Sequence, residues 1–155
     1  MKEIKIKQTV IFGILSVLVI GFIFGQSLQR SEQSNAVSGG VMEWLRVILG
    51  PLFDSDDVMH KFVRKAAHFI EFSALGGCLG LFADGLKDRF WRSWAVFMPL
   101  FTVLLTAVMD EFIQSFTDRS SMLKDVVLDF SGGLFGIVCS VIFLHAVLWL
   151  YKKRG

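Results

Sequence analysis

Residues 126–150 read VVLDFSGGLFGIVCSVIFLHAVLWL, and this stretch decides the class of fold. The stretch is almost entirely apolar, and about 20 apolar residues in an α-helix are enough to cross the hydrocarbon core of a bilayer. A soluble domain of similar size interrupts its apolar runs with polar residues much more often. The stretch therefore predicts a membrane-spanning helix, even though it contains Asp129 and His145.

Outward from this helix, three more apolar runs of similar length occur in the chain. Hydrophobic residues make up 54% and aromatic residues 14% of the 155 residues, and the mean hydropathy is +0.59. We predict an all-α fold in which residues 1–155 form a single polytopic membrane domain of four transmembrane helices. The predicted spans are residues 9–27, 60–83, 91–116 and 124–150.

The distribution of Lys and Arg predicts which side of the membrane the termini occupy. Both termini and the short turn between spans two and three are dense in Lys and Arg, whereas the long first loop mixes its basic residues with acids. We therefore expect both termini in the cytoplasm and the loop at residues 28–59 outside. The basic start of span one also fits a signal peptide, but its length and the spans that follow favour a retained helix.

The outer loop contains a short amphipathic segment at residues 41–50. Its apolar residues recur at helical spacing, at Val41, Trp44, Leu45, Ile48 and Leu49. A helix of this length is too short to cross the bilayer. We predict that it lies in the interface or packs over the helical bundle.

Small residues at helical spacing predict surfaces where two helices approach closely in lipid. Three pairs fit this pattern: Gly21 with Gly25, Gly76 with Gly80, and Gly132 with Gly136. Asp125 and Asp129 lie on the same face of span four as the last pair, so we expect their carboxylates to point toward a neighbouring helix. In span three, Pro99 predicts a kink or a locally broken turn.

Polar side chains occur inside three of the predicted spans, although a charged group near the bilayer centre costs roughly 2.5–3.5 kcal/mol. They are His68, Glu71, Asp110, Glu111, Gln114 and Asp129, with Asp125 at the start of span four. Because successive spans run in opposite directions, we expect all of them at a similar depth in the outer leaflet. The opposite orientation would move the whole set to the inner leaflet without separating its members.

Acidic residues outnumber cations in this set. We expect Arg64 and Arg119 to pair with some of the acids. The remaining excess indicates either protonated carboxylates or a positive partner, such as a metal ion or a cationic ligand. No pair of candidate ligands has the H-x-x-x-H or C-x-x-C spacing that makes a zinc site specific. A Mg²⁺ ion held by carboxylates is chemically reasonable but equally unspecific. We therefore predict no metal site, and the sequence indicates no particular cofactor.

We predict a ligand-binding site at the mouth and in the interior of this cluster. Its residues are Arg64, Lys65, His68, Glu71, Asp110, Glu111, Gln114, Arg119, Asp125 and Asp129. His68 with Glu71, Asp110 or Glu111 is also the candidate group for general acid–base catalysis. The alternative is structural, because buried polar groups that pair with one another can fix the topology of a bundle.

Three motifs in the chain resemble those of the VanZ-like membrane proteins. Residues 65–72 (KAAHFIEF) are similar to the first motif, and residues 110–116 (DEFIQSF) with Arg119 are similar to the second. The third motif is matched by Asp125, Asp129, Gly132 and Gly136. The chain has Asp118 where the family usually has Gly before the arginine.

The resemblance implies a bacterial cell-membrane protein that acts at the outer face on the envelope or on lipids. The family is named for a protein linked to resistance against teicoplanin, a lipidated glycopeptide antibiotic that binds cell-wall precursors. Members of the family differ in whether they affect resistance.

Three functions fit the predicted cluster. The first is binding of an anionic membrane lipid or a lipid-linked cell-wall precursor, with a possible effect on teicoplanin susceptibility. The second is an enzyme that acts on a lipid phosphate or ester. The third is transport or proton coupling, which the apolar inner halves of the spans disfavour unless the chain forms an oligomer. The net charge of +2 without a basic stripe argues against a nucleic-acid partner.

Overall fold

Four helices contain nearly all of the residues that the computed structural model describes, which are 2–28, 47, 53, 55–86, 92–116 and 123–154. Helix α1 spans Lys2–Ser27, α2 spans Asp56–Leu86, α3 spans Arg92–Gln114 and α4 spans Leu123–Arg154. Each contains a segment long and apolar enough to cross a membrane. No strand occurs in these ranges. The predicted all-α fold with four spanning helices is confirmed.

Helix α2 begins before the predicted span because its N-terminus has residues that stabilise a helix start. The backbone carbonyl of Ser55 accepts the first hydrogen bond, from the Met59 amide at 3.2 Å. Asp56 and Asp57 lie in the first turn, where negative side chains interact favourably with the helix dipole. These polar residues extend the helix beyond the apolar segment.

Helix α3 runs without interruption through Pro99. Proline removes one backbone donor, the one that would reach the carbonyl of Ala95. Pro99 is itself fully buried, so packing against neighbouring helices stabilises this part of α3. The locally broken turn that we considered is not present.

Three side-chain contacts establish the directions of the helices. Gln8 of α1 donates a hydrogen bond of 3.0 Å to a backbone carbonyl near the end of α2, so these two helices are antiparallel. Ser27 at the end of α1 bonds to Asp110 near the end of α3. Lys65 and Asp125 pair near the starts of α2 and α4. The helices therefore alternate in direction, and these last two contacts lie at the same end of the bundle.

Helix α2 contacts all three other helices and forms the centre of the bundle. The buried apolar cluster consists of Ile23, Phe72, Leu75, Leu79, Val103 and Ala107. Many large apolar side chains elsewhere are exposed, such as Val17 at 69% and Phe101 at 66%. This distribution fits a bundle that packs internally through a small core and presents apolar side chains to lipid.

Helices α2 and α4 approach each other closely at glycines. A Cβ atom added to Gly76 would overlap the backbone of Gly133, and one added to Gly136 would overlap the carbonyl of Ser73. A Cβ atom at Gly132 would lie 2.6 Å from a backbone oxygen of α2. The close-packing surfaces predicted for spans two and four are confirmed.

The glycine pair of α1 does not form such a surface. A Cβ atom added to Gly21 or Gly25 would have nothing within 4 Å. The prediction is wrong for this pair because the spacing of small residues shows where close approach is allowed, whereas the partner helix decides where it occurs.

The predicted interfacial helix at residues 41–50 lies outside the described residues, apart from Val47, which is helical. Its position relative to the bundle stays a prediction. The cytoplasmic location of the termini likewise stays a prediction.

Candidate functional site

The predicted polar residues of α2, α3 and α4 meet in a small cleft at one end of the bundle. The residues that line it are Arg64, Lys65, His68, Glu111, Gln114, Asp125, Leu128 and Asp129. They come together because α2 and α4 begin, and α3 ends, at this face. The sequence predicted this shared depth from the alternating directions of the spans.

Asp110 lies behind the cleft and is completely buried. Ser27 donates a hydrogen bond to its Oδ1 atom, and the Gln114 side-chain amide donates one of 2.7 Å to Oδ2. The same amide lies 3.5 Å from the Ser27 hydroxyl oxygen. Two donors from different helices therefore hold this carboxylate in one orientation.

Ser27 was missed in the sequence analysis. It is the last residue of α1, and its side chain is fully buried. Its position at the C-terminal end of span one places it at the depth of the other polar residues, and this depth was the signal that could have identified it. Helix α1 therefore also contributes to the polar cluster.

His68 lies between two carboxylates. Its Nδ1 atom is 3.8 Å from Glu71 Oε2 and 3.9 Å from Asp110 Oδ2. Both distances exceed the length of a hydrogen bond. The Glu71 Oε2 atom is buried and has no hydrogen-bond partner among the described residues.

Asp129 faces His68 and Asp110 from α4 and is only 2% exposed. One ligand atom from each of these three side chains lies within 4.8 Å of the others. The sequence gave no motif for such a group because its members come from three different helices. These are the described residues that have the geometry to hold a metal ion.

The cations of the cleft differ in their contacts. Lys65 forms an ion pair of 2.5 Å with Asp125. Arg64 is exposed at the mouth, and it forms no ion pair with an acid in the described part of the chain. We had expected Arg64 to be the partner of an acid, but Lys65 has that role. Arg119, the other expected partner, lies outside the described residues.

The four residues proposed for acid–base chemistry lie at the same end of the bundle. Glu111 lines the cleft and is 6% exposed, while His68 and Glu71 are partly buried. Carboxylates and an imidazole in this arrangement can accept hydrogen bonds, hold a cation or exchange a proton. Their role in a reaction stays a prediction.

Comparison with known proteins identifies one family. The family sequence profile described as VanZ/LLP1 matches residues 12–144. The match includes α1 as well as the three helices that carry the motifs quoted above. No curated protein and no solved structure matches the chain.

Proposed function

Because the chain belongs to the VanZ/LLP1 family, we propose that it is a bacterial cell-membrane protein whose outer-leaflet cleft binds an anionic lipid or a lipid-linked envelope component. Four membrane-spanning helices support the membrane location. The cleft at one end of the bundle supports a ligand that is reached from the headgroup region.

Arg64 is the residue that carries the proposal. Its side chain lines the mouth of the cleft, is exposed and forms no ion pair with a described acid. A guanidinium group at headgroup depth binds phosphate oxygens through two parallel hydrogen bonds. Lys65, the next residue, adds a second positive charge, which is ion-paired with Asp125.

The interior of the cleft favours a headgroup that also donates hydrogen bonds. Gln114, Asp125 and Asp129 line the cleft, and carboxylates accept hydrogen bonds from hydroxyl or amino groups. A phosphate at the mouth and hydroxyl groups further inside would satisfy both regions. Phosphatidylglycerol has this chemistry and is a suitable probe.

We expect the substitution Arg64→Ala to lower retention of phosphatidylglycerol by at least about tenfold, because a hydrogen bond to a charged group contributes roughly 1.5–3 kcal/mol. The measurement is native mass spectrometry of the full chain released from nanodiscs that contain this lipid. Lys61→Ala is the control, since Lys61 is an exposed cation of the same helix that does not line the cleft. Equal retention by the Arg64→Ala variant and the wild type would refute lipid binding at this site.

The proposed effect on antibiotics has its own test. If the bound component is part of the target of teicoplanin, cells that produce the wild-type chain should differ in teicoplanin susceptibility from cells that produce the Arg64→Ala variant at the same level. Equal susceptibility of both strains would refute the proposed effect on teicoplanin. Lipid binding would still be tested separately by the nanodisc measurement.

An enzyme that acts on a lipid phosphate or ester is the second candidate. The position of His68 beside Glu71 and Asp110 favours it, since a general base needs a neighbouring group that orients it. We would compare lipid extracts by mass spectrometry from cells that produce the wild type, His68→Ala or the control His60→Ala. The enzyme is supported if the wild type and His60→Ala change the lipid composition of the cells and His68→Ala does not. Identical lipid extracts from all three strains would exclude it.

A further inference from the structure

Three side chains from three helices bring potential metal ligands together at the wall of the cleft. They are His68 of α2, Asp110 of α3 and Asp129 of α4, and one ligand atom of each lies within 4.8 Å of the others. Nitrogen and oxygen ligands lie about 2.0–2.2 Å from Zn²⁺, so two ligands of one such ion are at most about 4.4 Å apart. The separations of the three atoms are therefore close to the spacing that one ion needs.

The distances around His68 fit shared coordination better than direct hydrogen bonding. The Nδ1 atom of His68 is 3.9 Å from Asp110 Oδ2 and 3.8 Å from Glu71 Oε2. These separations are too long for hydrogen bonds but short enough for two ligands of one ion. Glu71 Oε2 is buried and accepts no hydrogen bond from a described residue, so it is available as a fourth ligand.

Asp129 provides an independent indication that a positive partner is needed. It is 2% exposed, and no residue that the structure describes donates a hydrogen bond to it or pairs with it. Four acids act on it electrostatically: Asp110, Glu111, Asp125 and Glu71. A buried carboxylate among other carboxylates is stable only with a proton or a cation.

The chemistry of the ligands selects the class of cation. Mg²⁺ and Ca²⁺ take oxygen ligands almost exclusively, whereas an imidazole nitrogen suits first-row transition ions. We propose that His68, Asp110 and Asp129, with Glu71 as an additional ligand, bind one divalent transition-metal ion of the Zn²⁺ or Mn²⁺ type. This inference does not depend on the lipid-binding proposal, because Arg64 and Lys65, the cations proposed to bind the phosphate, are not among the ligands.

The surrounding residues support Asp110 as a ligand. Its two oxygens accept hydrogen bonds from Ser27 and Gln114. Such outer hydrogen bonds fix the orientation of a coordinating carboxylate and raise metal affinity. His68 and Asp129 also line the cleft, so an ion between them would have one side open to a further ligand.

The test uses the full chain in detergent after treatment with a chelator. Zn²⁺ or Mn²⁺ is titrated by calorimetry, and bound metal is counted by elemental analysis. We expect one ion per chain in the wild type and a loss of affinity of at least about tenfold in Asp129→Asn and His68→Ala. Mg²⁺ should not compete.

Asp125→Asn is the matched control, because it removes the same charge one helical turn from Asp129 and outside the proposed ligand set. It should keep most of the affinity. If Asp125→Asn and Asp129→Asn lost the same amount of metal affinity, the binding would come from general attraction of cations by acids. That result would overturn the proposed site. Absence of saturable binding of Zn²⁺ or Mn²⁺ to the folded wild type would also overturn the site. This result needs no variant, so the proposal stays testable even if a variant misfolds.

Discussion

Asp110 shows how a single carboxylate is accommodated inside a membrane domain. A charge at depth costs roughly 2.5–3.5 kcal/mol on insertion scales. Hydrogen bonds to a charged group contribute about 1.5–3 kcal/mol each in soluble proteins and less in lipid. Ser27 and Gln114 each donate one such bond, so together they offset a large part of the cost.

We predict that Ser27→Ala destabilises the protein by about 1–2 kcal/mol, because it leaves the buried Asp110 carboxylate without one of its donors. The free energy of unfolding in bicelles measures this. The control is Ser131→Ala, since Ser131 is exposed and its hydroxyl bonds to the carbonyl of Leu128 in its own helix at 2.6 Å. Equal stabilities of the two variants would contradict the role of Ser27.

Individual partners were harder to predict than positions along the chain. The sequence located Asp110, Gln114 and Asp125 at one depth, because spacing and span direction determine depth. It did not identify Ser27 as the donor to Asp110, because an apolar run carries no information about its neighbours. It also favoured Arg64 over Lys65 as a partner of the acids, since the reach of a side chain depends on the crossing of two helices.

At the scale of the elements, the packing of α2 against α4 positions the cluster. Gly76 of α2 and Gly133 and Gly136 of α4 leave no room for a side chain between the two backbones. Close approach replaces the hydrophobic driving force that is missing in lipid. It also places Asp129, which lies one turn before Gly133, against α2.

We predict that Gly136→Ala destabilises the protein by about 1–3 kcal/mol, because its added methyl group would overlap the carbonyl of Ser73 and force the helices apart. Gly25→Ala is the matched control, with nothing within 4 Å of the added atom. Thermal unfolding in detergent, followed by circular dichroism, compares the two variants. A Gly25→Ala variant that is as unstable as Gly136→Ala would contradict this assignment of the packing surfaces.

For the whole molecule, four helices of alternating direction place both termini on one side and the polar cluster toward the other. Long apolar runs and three motifs in order were enough to predict this fold and the family. The depth of each polar residue followed from the same pattern. The sequence contained no comparable signal for contacts between three helices, so the grouping of His68, Asp110 and Asp129 became visible only in the structure.

We predict that a cysteine at Ser55, which is exposed before α2, reacts with a membrane-impermeant maleimide on intact cells. A cysteine at Lys153, near the end of α4, should react only after the membrane is permeabilised. Both variants require replacement of Cys78 and Cys139, which are free thiols. The reverse pattern of labelling would place the cluster at the inner face and contradict the proposed orientation.

The polar cluster exists only if the imidazole of His68 lies close to the carboxyl groups of Asp110 and Asp129, and this distance can be measured. Solid-state NMR can measure ¹⁵N–¹³C dipolar coupling in bilayers, with ¹⁵N-histidine and aspartate labelled at its carboxyl carbon. Substitution of His60 and His145, both exposed, leaves His68 as the source of the nitrogen signal. We predict strong dephasing that weakens in Asp110→Asn, since the asparagine at this position does not carry the aspartate label. A His68 signal without dephasing in the parent protein would show that the helices do not bring these groups together.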